Sequence, residues 1–224
     1  MKNDIIIISD LHLGSHICQS EKLLKFLQCI EFRTQHLIIN GDLFDNWNFT
    51  RLIDTHWQIL KTIRKASEKI KVTWISGNHD GPADIVSHLL NVDFIEEYIF
   101  TKYGKTFIVL HGDIFDEYIA KYPNLAKLAD FFYRLIQKLD KSLYWARKLK
   151  RVSKTFLRAI ETVKQRSIDY CIKKKGDIIC LGHTHYPESC VVDGIHYYNS
   201  GSWTDPVCTY ISIVNNNIKI NTYE

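Results

Sequence analysis

The chain has 224 residues, 46% of them hydrophobic and 24% charged, with four prolines and a net charge of +4. That length and balance suit one ordinary globular domain with its own core, and they exclude a low-complexity chain, a repeat array and a collagen-like polymer. No apolar run approaches the roughly 20 residues of a membrane-spanning helix, and the run from Ile5 stops at Ser9-Asp10, too short for a secretory leader.

The elements are expected in this order. Asn3 to Ser9 is rich in β-branched residues and reads as a buried strand. Glu21 to Phe32 has helical spacing through Leu23, Leu24, Leu27 and Ile30. His36 to Asn40 is strand-like and ends at Gly41-Asp42, and Leu52 to Lys69 is helical. Val72 to Ser76 is a strand ending at Gly77-Asn-His-Asp80. Phe94 to Thr101 and Thr106 to Leu110 are further strands, the second ending at His111-Gly-Asp113. Leu125 to about Lys174 is mostly helical. Asp177 to Leu181 is a strand ending at Gly182-His-Thr-His185, and Val191 to Tyr223 carries short strands between Asn/Gly turns. Strands alternating with helices, then following one another, predict an α/β fold of sheets with helices outside.

Cysteine usage points to a reducing compartment. Cys18, Cys29, Cys171, Cys180, Cys190 and Cys208 show no C-x-x-C spacing and read as reduced thiols, so a cytoplasmic protein is expected. Charge is unevenly spread. Phe115 to Lys175 holds 16 basic and 6 acidic residues, a net +10, which leaves the remainder at −6. A basic segment on an acidic body predicts an anionic partner.

Five short segments carry the chemistry: Asp10-Leu-His12, Gly41-Asp42, Gly77-Asn-His-Asp80, His111-Gly-Asp113 and Gly182-His-Thr-His185. Each begins where a predicted strand ends, the edge at which α/β sheets bind ligands. Together they offer carboxylates, imidazoles and an amide but no thiolate, a donor set for borderline to hard divalent ions such as Mn, Fe or Zn. Asp10 and His12, like His183 and His185, stand two apart and share a face of an extended chain. Two divalent ions held by Asp10 and Asp42 alone as anions would leave the site at roughly +2, which attracts phosphate and acidifies bound water. Any one segment alone is ordinary loop chemistry; five in this context are not. His16, His36, His56, His88 and His196 lack that context and are expected at the surface or satisfied in the core.

In this order the five segments resemble those of the calcineurin-like metallophosphoesterases, across nearly the whole chain. The resemblance implies a four-layer α/β/β/α sandwich over residues 1–224, with a helical lid inserted at about 115–170. It implies two metal ions, one taking Asp10, His12, Asp42 and His185, the other Asp42, Asn78, His111 and His183, with Asp42 bridging and water attacking phosphorus in line. His79 would contact the phosphate or protonate the leaving oxygen, Asp80 would orient His79, and Asp113 would support the ligands from behind.

The insertion predicts the substrate. Leu125, Leu128, Phe132, Leu135, Leu139 and Leu143 form an apolar helical stripe, with Lys127, Arg134, Lys138, Lys141 and Lys148 as a basic stripe beside it, followed by Arg147-Lys-Leu-Lys-Arg151. A lid greasy within and basic without suits an amphiphilic phosphate and peripheral contact with an anionic membrane. Gly41-Asp-Leu-Phe-Asp-Asn-Trp47, the insertion and Gly182-His-Thr-His-Tyr-Pro187 are similar to the UDP-2,3-diacylglucosamine hydrolases. That implies manganese, cleavage of a UDP-linked acylated sugar to UMP and lipid phosphate, a place in lipid A synthesis, and work at the inner face of the membrane. Asp116, Lys154 and Arg158 are the candidate substrate contacts. The chain departs from those enzymes at His79, where they carry Arg. The alternative is a soluble nucleotide, nucleic acid or phosphoprotein substrate. Nucleic acid is disfavoured, since aromatics are not interleaved with basic residues at the strand-end edge. Nothing in the sequence points to an obligate protein partner. A catalytically silent scaffold need not keep a full ligand set, and this chain keeps one.

Overall fold

The computed structural model describes residues 3–81, 83–116 and 154–224. Its first strand, β1 (Asn3–Ile8), lies between parallel β2 (Thr34–Asn40) and antiparallel β10 (Cys208–Val214). With β3 (Lys71–Ile75), β4 (Asp93–Ile95) and β11 (Asn217–Tyr223) they form a six-stranded sheet, ordered β11-β10-β1-β2-β3-β4. A second sheet has the order β5-β6-β7-β9-β8, from β5 (Glu97–Lys102), β6 (Lys105–Leu110), β7 (Ile178–Leu181), β8 (Glu188–Val192) and β9 (Ile195–Asn199).

Strand alternation explains the layers. Ile6 and Ile8, Leu37 and Ile39, Val72 and Trp74 face the apolar sides of α1 (Ser20–Gln28) and α3 (Asp54–Ala66), which follow the spacing of Leu23, Leu27, Ile59 and Ile63. The opposite face, with Ile5, Ile7, Ile38 and Ile75, meets Phe107, Val109, Ile178 and Cys180 of the second sheet. That sheet's outer face, Ile108, Ile179 and Tyr197, packs against Val163, Ile168 and Cys171 of α5 (Lys154–Lys173). The result is the expected four-layer α/β/β/α sandwich. Each fully buried Ile contributes about 1.5–3 kcal/mol, so a one-residue slip of β1, which would exchange its two faces, is strongly disfavoured.

Three expectations shift. Phe94 to Thr101 is not one strand. β4 closes the first sheet, β5 opens the second, and Glu96 is the step between them. The first helix breaks at Cys29, where the chain turns into the short α2 (Ile30–Arg33). The second half of the expected lid segment is α5, and from Ile160 onward it belongs to the outer layer. The apolar and basic stripes of residues 125–151 lie outside the described residues. Among the described residues no helix is long and apolar enough to cross a membrane. All six cysteines are free thiols.

Candidate metal centre

The loops that leave β1, β2, β3, β6 and β7 carry the five motifs, so both sheets deliver side chains to one edge. Asp10, His12, Asp42, His183 and His185 all adopt left-handed backbone conformations, with φ between 47° and 63°. Residues with a Cβ seldom enter that region, Asp, Asn and His most readily; elsewhere Asn91, Tyr103, Lys175, Asp193, Asn215 and Asn216 do so at turns and helix ends. Two glycines make room. A Cβ on Gly41 (φ +81) would strike the His111 ring, and one on Gly182 would strike Ser9 and the Asp10 carboxylate.

The first cluster forms around Asp10 Oδ1, His12 Nε2 and His185 Nε2. The two imidazole nitrogens stand 3.3 Å apart, and Asp10 Oδ1 lies 3.1 Å from His185 Nε2. Asp42 Oδ2 joins at 3.5 Å from His12 Nε2, and the same oxygen is 3.4 Å from His111 Nε2. Its other oxygen accepts the His79 backbone N–H at 3.0 Å. Of the two Asp42 oxygens, Oδ2 is thus the one that faces both His12 and His111. On the far side, His183 Nδ1 is 3.1 Å from Asn78 Oδ1. The acid and histidine groups within ion-sharing reach are Asp10/His12/His185, His12/Asp42/His79 and Asp10/Asp42/His111, among the described residues.

What holds the far nitrogen of each ring decides which atom faces the centre. His111 Nδ1–H donates to the Asn40 carbonyl at 3.0 Å, and His79 Nδ1–H to the Asp45 carbonyl at 2.8 Å. His185 Nδ1 meets the Thr204 hydroxyl at 3.3 Å. His12 Nδ1 stands 3.8 Å from Asp45 Oδ1, and Arg51 anchors that carboxylate through Oδ2 at 2.7 Å. His183 is reversed: its Nε2 meets Asp116 Oδ2 at 3.1 Å, leaving Nδ1 inward.

These contacts test whether cations belong here. Ligand atoms near ~2.1 Å from one ion stand roughly 3.0–3.4 Å from each other, which matches the Nε2–Nε2 and Nδ1–Oδ1 separations. Where both rings carry their proton on Nδ1, the two Nε2 lone pairs face each other and repel unless something positive lies between them. Asp10 Oδ1 and His111 Nε2 are buried with no hydrogen-bond partner, a costly state that a cation relieves. Charge agrees. Burial works against ionised Asp10 and Asp42, yet His185 holds Asp10 down at about 2, and His111 holds Asp42 well below the usual range. His111 resists its burial and is pushed up to about 10 by Asp42 and Asp10, whereas burial takes His12 down to about 4. The two buried anions lean chiefly on the His185 and His111 imidazoles for countercharge. The residues fit a pair of divalent cations.

Asp80 departs from expectation. It does not touch the His79 ring, which Asp45 orients. Asp80 Oδ2 accepts from the backbone of Asp42 at 2.8 Å and Gly77 at 3.0 Å and from Trp74 Nε1 at 3.1 Å, while Oδ1 accepts from Phe44 N at 3.3 Å. It pins the Asp42 loop to β3. Burial and the Asp42 charge push it up to about 7, against those four donors. Asp113 begins the 3-10 turn Asp113–Phe115, and its charge adds to the upward push on His111. Asp116 lies against His183. Arg158 is exposed on α5, and Lys154 is the first residue of that helix. His36 and His56 are buried and bonded to Thr73 Oγ1 and to the Gly14 backbone N–H, while His16 and His88 are exposed.

Asp45, Asn40 and Thr204 were not anticipated as contributors. Asp45 falls inside the Gly41–Trp47 motif and could have been found there. Asn40 acts through a carbonyl, and Thr204 arrives from a distant loop, so neither carries a local signal.

The family profile described as Calcineurin-like phosphoesterase matches residues 4–187. The UDP-2,3-diacylglucosamine hydrolase of Blochmanniella pennsylvanica is 27% identical over 205 residues, covering 82% of this chain and 79% of that one. The DNA polymerase II small subunit of Pyrococcus abyssi is 21% identical over 237 residues and covers 88% of this chain, which spans only 36% of that subunit. In fold, the chain is similar to an archaeal phosphodiesterase structure, with TM-score 0.54, 13% identity, and 97% and 98% of the two chains covered.

Proposed function

The chain belongs to the calcineurin-like phosphoesterase family and is a metal-dependent phosphoesterase, and from that premise we propose that it cleaves the pyrophosphate of a UDP-linked diacylated glucosamine, releasing UMP and the acyl-sugar phosphate. The observation that carries this reading is the match to a UDP-2,3-diacylglucosamine hydrolase over about four-fifths of both chains. Manganese, preferred by the enzymes it resembles, suits the mixed imidazole and oxygen donors.

Asp10, His12, Asp42 and His185 would hold one ion, and Asp42, Asn78, His111 and His183 the other. Bound ions supply Lewis-acid polarisation of the phosphoryl group and acidify water. The protein's part is to fix that geometry. Asn40 and Asp116 set ring tautomers, Thr204 supports the His185 ring, and Asp80 holds the Asp42 loop. His79 keeps Nδ1–H on the Asp45 carbonyl, so Nε2 is the atom free to meet a phosphate oxygen or the leaving group. The basic, apolar segment of 115–151 supports an amphiphilic substrate taken from the inner face of an anionic membrane, with cytoplasmic protein docking peripherally.

The test is UMP release from UDP-2,3-diacylglucosamine by manganese-loaded protein, with and without detergent. Turnover at enzyme-like rates supports the reading. Cleavage of a generic phosphodiester with no UMP release would move the substrate to soluble nucleotides, the reading that His79 in place of Arg favours.

A further inference from the structure

We propose that Asp116 is a positioning residue, a carboxylate that sets the tautomer and orientation of His183 and thereby tunes the second ion site. The inference rests on the reading of Asn78, His111, His183 and Asp42 as that site's ligands.

A neutral imidazole carries a single N–H. His183 meets an oxygen at each end of its ring, Asp116 Oδ2 at Nε2 and Asn78 Oδ1 at Nδ1, both at 3.1 Å. The carboxylate is the stronger acceptor and takes the proton at Nε2. The Nδ1 lone pair then faces the Asn78 oxygen, an arrangement that two acceptors keep only around a shared cation. Without Asp116 the ring is free to place its proton on Nδ1, hydrogen-bond to Asn78 and lose its donor toward the ion.

Asp116 is distinctive among the partners of these rings. His111 and His79 use backbone carbonyls and His185 a hydroxyl, while the Asp45 carboxylate stands 3.8 Å from His12, too far for a hydrogen bond. On the nitrogen turned away from the cluster, His183 is the one of these rings with a carboxylate at hydrogen-bond distance, among the described residues. A carboxylate there fixes the orientation of the ring. The position of Asp116 is itself fixed. Its backbone N–H closes the 3-10 turn onto Asp113, and Phe115, one residue earlier, is buried edge-on against Tyr170 of α5 with ring centroids 5.5 Å apart. Asp116 therefore rides on the outer helical layer, and His183 is coupled to it.

The test is calorimetric titration of the chelator-stripped full chain with manganese chloride, comparing wild type, Asp116→Ala, Asp116→Asn and His183→Ala, with melting curves as a fold control. Wild type should bind two ions and His183→Ala one. Asp116→Ala should keep the first ion unchanged and bind the second about 10–100-fold more weakly. Asp116→Asn, which retains an acceptor oxygen, should recover part of that loss. On a small chromogenic diester, kcat should fall with KM little changed. Wild-type affinity for both ions in Asp116→Ala overturns the proposal, and a raised KM in that case assigns Asp116 to substrate. Complete loss of the second ion, as in His183→Ala, also overturns it by making Asp116 a direct ligand. A wild type that binds fewer than two ions would overturn the dinuclear reading and this inference together.

Discussion

Replacing Asp80 separates two roles for a residue that the family resemblance assigns to orienting His79. In the structure its carboxylate accepts four N–H donors, from Asp42, Gly77, Phe44 and Trp74, and none from the His79 ring. Hydrogen bonds to a charged acceptor are worth about 1.5–3 kcal/mol each, but the four share one carboxylate and do not add. Removing one side of a buried charged network costs about 3–5 kcal/mol, so that range is expected for Asp80→Ala. Asp80→Asn should be milder, about 1–2 kcal/mol, because its amide oxygen can still serve the three donors at Oδ2 and only the 3.3 Å contact with Phe44 meets an NH2 group. The assay is urea unfolding of chelator-treated protein, read by tryptophan fluorescence and circular dichroism. A chain of this size loses about 2–4 °C of Tm per kcal/mol, so Asp80→Ala should melt some 6–20 °C lower. Ion binding should weaken as well, since the Asp42 loop is released. The reasoning is refuted if Asp80→Ala keeps wild-type stability and ion binding while losing only the acid step attributed to His79.

Further outcomes follow from the same geometry. Asp42→Ala removes the oxygen shared by both clusters and should abolish tight binding of the ion pair and lower phosphodiesterase kcat/KM by ~10³-fold or more, with metal analysis and kinetics as the check. Gly182→Ala puts a methyl group into Ser9 and Asp10, so unfolding should show a loss of about 1–3 kcal/mol and calorimetry a weakened first ion. His36 is buried beside Thr73, and burial together with Lys71 and Lys102 takes its ring down from 6.5 to about 4. The folded state then binds a proton less readily than the unfolded one. The His36 contribution is full above pH 6.5 and is lost at about 1.4 kcal/mol per unit as pH falls toward 4, roughly 3 kcal/mol in all. His36→Gln should flatten that part of the stability profile; an unchanged acid slope would count against a neutral buried ring.

The layers and the centre were legible for different reasons. Runs such as Ile5 to Ile8 are apolar on both faces, which marks strands covered on both sides, and the helices announced themselves by 3.6-residue spacing. The clustered side chains drew notice in the sequence because polar residues at strand ends have no structural reason to recur five times. Three things were hidden. The step at Glu96 was masked because β4 and β5 are both β-prone, and nothing local tells one strand from two in different sheets. The support of the rings was hidden because it uses carbonyls and distant residues: Asn40 serves His111, and Thr204 reaches His185 across 19 positions. The Asp80 assignment failed because adjacency in sequence says nothing about where a carboxylate's lone pairs go once Asp42 and Trp74 fold onto it.

The left-handed residues of the motifs connect this fold to its candidate site. Each αL residue other than Gly costs about 1 kcal/mol or somewhat more, less for Asp, and five together are a large fraction of the 5–15 kcal/mol by which domains are stable. They persist because the loops are stitched to one another. Asp10 N donates to the Gly41 carbonyl, while Leu11 N and His12 N share that of Asp42. Gly182 N reaches the His111 carbonyl, and Trp203 N closes on that of Asp10. The loops that carry these residues are thus tied to one another or to the segment before the C-terminal strands, so none can relax alone. Strain distributed over a braced edge gives a pre-set donor array. Cation binding then relieves repulsion instead of ordering a flexible loop, and stability and ion affinity should fall together whenever a brace is cut.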